Sequence, residues 1–135
     1  MPVIDASVYV SLANEADRYH DRCLKWFESC LRKQQPMAAP GLLLVEVAAS
    51  IRRLTGSSEL ARRVLSELQE AEIIELYPLT AVRGEAAANL AASTGVRGAD
   101  AVYLALAREL EETLITLDRQ QLERGKGVVD VTRPT

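Results

Sequence analysis

In Arg97-Gly98-Ala99-Asp100-Ala101-Val102-Tyr103-Leu104-Ala105-Leu106-Ala107, one carboxylate stands at the head of a run that, Tyr103 aside, is apolar on every side of a helix drawn through it. Such a helix belongs inside a protein rather than on its surface. Gly98 serves as its cap, and Asp100 then falls in the first turn, where free amides and the helix dipole favour a negative group. Taken alone, Asp100 reads equally well as a helix-start acid. Leu114-Ile115-Thr116-Leu117-Asp118 follows closely and has the shape of a buried strand, Thr113 to Leu117, that emerges at an acid.

Outward from this pair, the same grammar recurs. Near the start, Pro2-Val3-Ile4-Asp5 is another short apolar run ending in an acid, and Ala6 to Leu12 follows as a short helix. From Ala16 to Lys33, Tyr19, Cys23, Trp26, Phe27, Cys30 and Leu31 recur at helical spacing, opposite a basic face of Arg18, Arg22, Lys25, Arg32 and Lys33 that reads as solvated surface. Pro36 to Pro40 is a short strand, and Pro40-Gly41 opens a helix over Leu42 to Leu54. Within that helix Glu46, Ser50 and Arg53 share one polar stripe. Glu46 either faces solvent or, about 7 Å from the helix start and leaning back toward it, points at the C-terminal edge of a sheet.

Thr55-Gly56-Ser57 breaks the chain before a helix with Leu60, Ala61, Val64, Leu65 and Leu68 on one face, completing a hairpin whose outer side carries Arg52, Arg53, Arg62 and Arg63. Ile73 to Tyr77 reads as a strand ended by Pro78, and Thr80 caps a helix running to about Ser93. A short helix from Asp118 to about Glu123 leads to a last strand at Gly127 to Val131, and Thr132 to Thr135 reads as a frayed tail. Strands alternating with helices predict an α/β protein with a parallel sheet of about five strands covered on both faces.

Size and composition agree with one domain, residues 1–131, built on a single core: 135 residues, 48% of them hydrophobic and 26% charged. No apolar run approaches a membrane span, and the first residues lack a signal-peptide pattern, so a cytoplasmic protein with no membrane association is expected. A net charge of −3 gives no global field that would gather nucleic acid. Cys23 and Cys30 lie roughly 10 Å apart along a helix, beyond disulfide reach, and read as reduced thiols. With a single histidine, His20, nothing supplies a zinc quartet.

Chemistry in open parallel sheets collects beyond the C-terminal ends of the strands. Asp5, Glu46, Asp100 and Asp118 all fall at that edge, and four carboxylates in one place are costly unless a cation neutralises them. Oxygen ligands without His or Cys suit Mg2+ or Mn2+. Arg97 beside them reads first as a solvated loop arginine, with a phosphate contact as the alternative. Ser7 is either a helix N-cap or a partner of a carboxylate, and Thr116 either sits there for its β-propensity or shares a strand face with Asp118.

Val3-Ile4-Asp5-Ala6-Ser7, Ala39-Pro40 with Val45-Glu46-Val47, Gly98-Ala99-Asp100-Ala101, and Leu114-Ile115-Thr116-Leu117-Asp118 together resemble PIN domains, in particular the VapC-type toxins of prokaryotic toxin–antitoxin pairs. The resemblance implies a three-layer α/β/α sandwich and a metal-dependent endoribonuclease. Its acidic quartet would be Asp5, Glu46, Asp100 and Asp118, with Asp5 and Asp100 holding Mg2+ or Mn2+ and Ser7 and Thr116 in support. It also implies an RNA substrate, a cognate antitoxin and a homodimer. Two other classes share parts of this pattern: a receiver-like phosphoacceptor module, whose paired acids after the first strand are missing here, and a non-catalytic domain that has kept the fold.

Overall fold

A computed structural model describes all 135 residues. Five strands, β1 (Val3–Ile4), β2 (Met37–Pro40), β3 (Ile74–Tyr77), β4 (Leu114–Ile115) and β5 (Val131–Thr132), form one sheet in the order β3-β2-β1-β4-β5. Every pairing is parallel. Parallel neighbours require crossovers, and seven helices supply them: α1 (Ala6–Ala13), α2 (His20–Arg32), α3 (Leu42–Thr55), α4 (Ser58–Glu70), α5 (Ala81–Thr94), α6 (Gly98–Leu110) and α7 (Arg119–Gly125). With helices on both faces, the molecule is the expected three-layer α/β/α sandwich.

The chain leaves β1 for β2 on one side and later returns to place β4 on the other. The crevice between β1 and β4 is therefore the topological switch point of the sheet. Val3 pairs with Leu114 and Ile4 with Ile115, which brings Asp5 beside Thr116 at the strand ends. Helix α6 lies across β2, β1 and β4 and buries Ala101, Tyr103, Leu104, Leu106 and Ala107 among the core residues Val3, Ile4, Met37 and Leu114. It is less enclosed than its composition predicts, because Ala99 and Val102 stay partly open to solvent.

Several boundaries differ from the sequence reading, each for a local reason. Helix α2 begins at His20 rather than Ala16, since the Asn14 and Asp17 carboxamide and carboxylate oxygens accept from the amides of Ala16 and Tyr19 and turn the chain. Strand β4 stops at Ile115 rather than Leu117, since the Thr116 hydroxyl accepts from the Asp118 amide and bends the backbone out of the sheet. The N-cap of α6 is Arg97, with Gly98 its first helical residue. Strand β5 occupies Val131–Thr132, after a turn in which the amides of Val128 and Val129 both donate to the Gly125 carbonyl. The C-terminal residues are not frayed: Thr132 pairs in the sheet, Pro134 is buried, and Arg22 Nε donates to the Pro134 carbonyl at 2.7 Å. Cys23 and Cys30 are free and buried, and no helix is long and apolar enough to cross a membrane.

Candidate metal centre

Asp5 follows β1 directly and, as the N-cap residue of α1, has an extended backbone that turns its side chain over the strand ends. It is 5% exposed. Two hydroxyls donate to the same carboxylate oxygen, Oδ2: Ser7 Oγ at 2.7 Å and Thr116 Oγ1 at 2.8 Å. The Ser7 hydroxyl also accepts from the Leu117 amide at 3.0 Å, so α1 and the segment after β4 are tied together through this one acid. Thr116 is fully buried, and its hydroxyl serves Asp5 and the Asp118 amide at once. Burial pushes the Asp5 carboxyl up to about 6; the Ser7 and Thr116 bonds hold it down, and the nearby Asp100 and Glu46 charges raise it further.

Asp100 sits in the first turn of α6 and is buried. Asp118 caps α7, with Oδ1 accepting from the Gln121 amide at 3.1 Å. Glu46, one turn into α3, is half-buried, and its inner oxygen, Oε1, has no hydrogen-bond partner. All four acids line one pocket of about 190 Å³, together with Ser7, Ser50 and Arg97. Glu46 therefore faces the pocket rather than open solvent.

At two residues here the structure departs from or adds to the sequence reading. Arg97, expected to be free in a loop, donates from Nε to Asp100 Oδ2 at 3.0 Å and from Nη2 to Asp118 Oδ2 at 2.6 Å, while its side chain remains 65% exposed. Its spacing of three residues from Asp100 was the available signal, since i and i+3 share a helix face. Tyr103, a turn after Asp100 and fully buried, presents its hydroxyl toward Glu46 without an aligned hydrogen bond. Burial drives its pKa far up, with Glu46 adding to the shift, so it stays a neutral phenol.

The donor set is entirely oxygen, carboxylate and hydroxyl, the chemistry of a hard divalent cation. The partnerless Glu46 oxygen and the strained ionisation of Asp5 are costs such a cation would relieve. These residues fit Mg2+ or Mn2+. They do not form a ready-made cage, because no three of the acids are close enough together to hold an ion and Arg97 stands between Asp100 and Asp118.

The fold is an all-parallel three-layer sandwich with its acidic pocket at the switch point, where sites in open α/β sheets usually lie; the sequence narrows the class. Residues 3–127 match the PIN domain, and the chain belongs to that family. No curated protein matches it at significance. Among solved structures, it is similar to VapC20 of Mycobacterium tuberculosis, a sarcin-ricin loop cleaving toxin, with a TM-score of 0.81 at 20% identity over 99% of this chain and 100% of that one. It also resembles VapBC2 from Rickettsia felis bound to a DNA fragment from their promoter (TM-score 0.73, 13% identity, 96% and 95% of the two chains). A third similar fold is a toxin–antitoxin complex from Klebsiella pneumoniae (TM-score 0.67, 18% identity, 100% and 98%).

Proposed function

We propose that this chain is a metal-dependent endoribonuclease that hydrolyses RNA phosphodiester bonds, acting in the cytoplasm as the toxin of a VapBC-type toxin–antitoxin pair. The observation that carries the reading is the single pocket, at the β1/β4 switch point, lined by Asp5, Glu46, Asp100 and Asp118. Asp5 and Asp100 would hold Mg2+ or Mn2+, with Glu46 and Asp118 completing the site. A divalent ion held there supplies acidification of water for attack on phosphorus and positive charge where the transition state gathers negative charge.

The protein's own residues prepare that site. Ser7 and Thr116 both bond Asp5 Oδ2, which fixes the carboxylate and leaves Oδ1 for a cation. The Gln121 amide fixes Asp118 in the same way through Oδ1. Tyr103 stays neutral beside Glu46 and adds no competing charge. For partners, the toxin–antitoxin complexes among the similar structures support a cognate antitoxin, and the apolar side chains that α3 leaves exposed, Val45 and Leu54, support a protein contact there. A homodimer is the expected assembly.

The test is cleavage of bacterial total RNA by the purified chain with Mn2+ or Mg2+, beside Asp5→Asn and Asp100→Asn. Each variant should lose activity by at least about 100-fold, the upper end of what losing even an outer-sphere metal partner costs, and chelation should abolish cleavage by the parent. Full activity in both variants would remove the site. Metal binding without any cleavage would favour the phosphoacceptor or non-catalytic reading.

A further inference from the structure

We infer that Arg97 is a tethered counter-ion that occupies the acidic pocket and must swing out before a divalent cation can enter. This inference rests on reading the pocket as a divalent-ion site. Its guanidinium bonds one oxygen of Asp100 and one of Asp118, two of the four acids that line the pocket. Those oxygens are among the ligands a metal ion needs, and the arrangement as it stands holds no ready cage.

Three features make Arg97 a removable occupant. It is the N-cap residue of α6, where the helix dipole repels a cation, so the carboxylates alone draw it in. A 65% exposed side chain leaves for water without opening the core. Its charge is permanent at any working pH, so release comes by movement and not by deprotonation. The neutralisation it provides is also incomplete: Asp5 bonds only hydroxyls, and Glu46 Oε1 bonds nothing. One positive charge among four carboxylates leaves the pocket with an appetite for a second, and a dication that replaces the guanidinium satisfies more of them.

The experiment is a calorimetric Mn2+ titration of the full chain, with melting curves in chelator and in Mn2+, for the parent, Arg97→Met, Arg97→Lys and Asp5→Asn. Arg97→Met should bind Mn2+ about 1.5- to 5-fold more tightly, the range set by losing one exposed, shared ion pair, and should melt lower than the parent in chelator. Arg97→Lys should fall between, because an ammonium lacks the fork that spans two carboxylates. A residue that merely braced the site would give the opposite sign, weaker binding on removal. Equal or weaker Mn2+ binding by Arg97→Met, with the parent binding normally, overturns the role of Arg97 alone. Absence of binding in both parent and Arg97→Met, or undiminished binding in Asp5→Asn, overturns the metal site and this role with it.

Discussion

Helix α6 carries an arginine–carboxylate system at each end, and the two are built on opposite principles. Near its C-terminus, Arg83 meets Glu109 through three hydrogen bonds of 3.0 to 3.3 Å, donates to the Pro78 carbonyl at 3.0 Å, and lies over the Tyr77 ring at 5.3 Å. One cation faces one anion, and each of the three guanidinium nitrogens is engaged. At the N-terminus, Arg97 gives a single contact to each of two carboxylates, with two more acids in the same pocket. The Arg83 bonds hold the Glu109 carboxyl below its ordinary range, whereas burial raises Asp5 toward neutrality. A pair that satisfies itself stabilises a surface. A group left short of positive charge is a place where something else binds.

The largest effect that separates the two ends belongs to Asp5. Its folded pKa, about 6, lies above the ordinary 3.8, so folding favours the protonated form. That stability is fully present below about pH 4 and is lost as pH rises through 6. In chelator, Asp5 should therefore cost the parent up to about 3 kcal/mol between pH 4 and pH 7.5, roughly two units at 1.36 kcal/mol each. Asp5→Asn should lack this component and be the more stable protein at pH 7.5. Denaturant unfolding at both pH values checks it; parallel pH dependences for parent and variant would mean that Asp5 ionises without strain.

A smaller effect sharpens the same contrast at Asp118, whose two oxygens have separate duties. Oδ1 caps α7 and Oδ2 holds Arg97. Asp118→Asn should keep the cap and unfold close to the parent in chelator, while Asp118→Ala should be less stable by about 1 kcal/mol. Equal losses in the two variants would show that charge, not capping, is what Asp118 contributes to the fold. The smallest effect is expected at the other end: Glu109→Gln should lower the melting temperature slightly, and high salt should erase the difference between variant and parent. A large, salt-insensitive loss would mean that Arg83 and Glu109 are more than a surface pair, and the contrast between the two ends would weaken.

Much of the architecture was legible in the order of residues. Val3-Ile4, Met37 to Pro40 and Ile74 to Tyr77 are short runs, apolar but for Glu75, bounded by acids, prolines or glycine, and each became a strand within a residue of its expected span. Thr80 caps α5 by accepting from the Arg83 amide, and Gly56 closes α3 in the left-handed conformation that only glycine enters freely. Two of the misjudged boundaries, the start of α2 and the end of β4, share one cause. Asn14, Asp17 and Thr116 use side-chain oxygens to capture nearby amides, and such captures end or delay regular structure without altering its hydrophobic periodicity.

The sequence by itself determined the alternation of strand and helix, the parallel layers, and the presence of Asp5, Asp100 and Asp118 near strand ends, because periodicity and turn chemistry are local properties. Only the tertiary structure decided that Ser7 and Thr116 share one oxygen of Asp5, that Glu46 lines the same pocket as the other acids, and that Arg97 bridges Asp100 and Asp118. Asp5 and Thr116 are 111 positions apart, and they meet because β1 and β4 pair in one register. Shifting that pairing by one residue would send alternate side chains to the opposite face, so the pocket exists only once the whole sheet has formed.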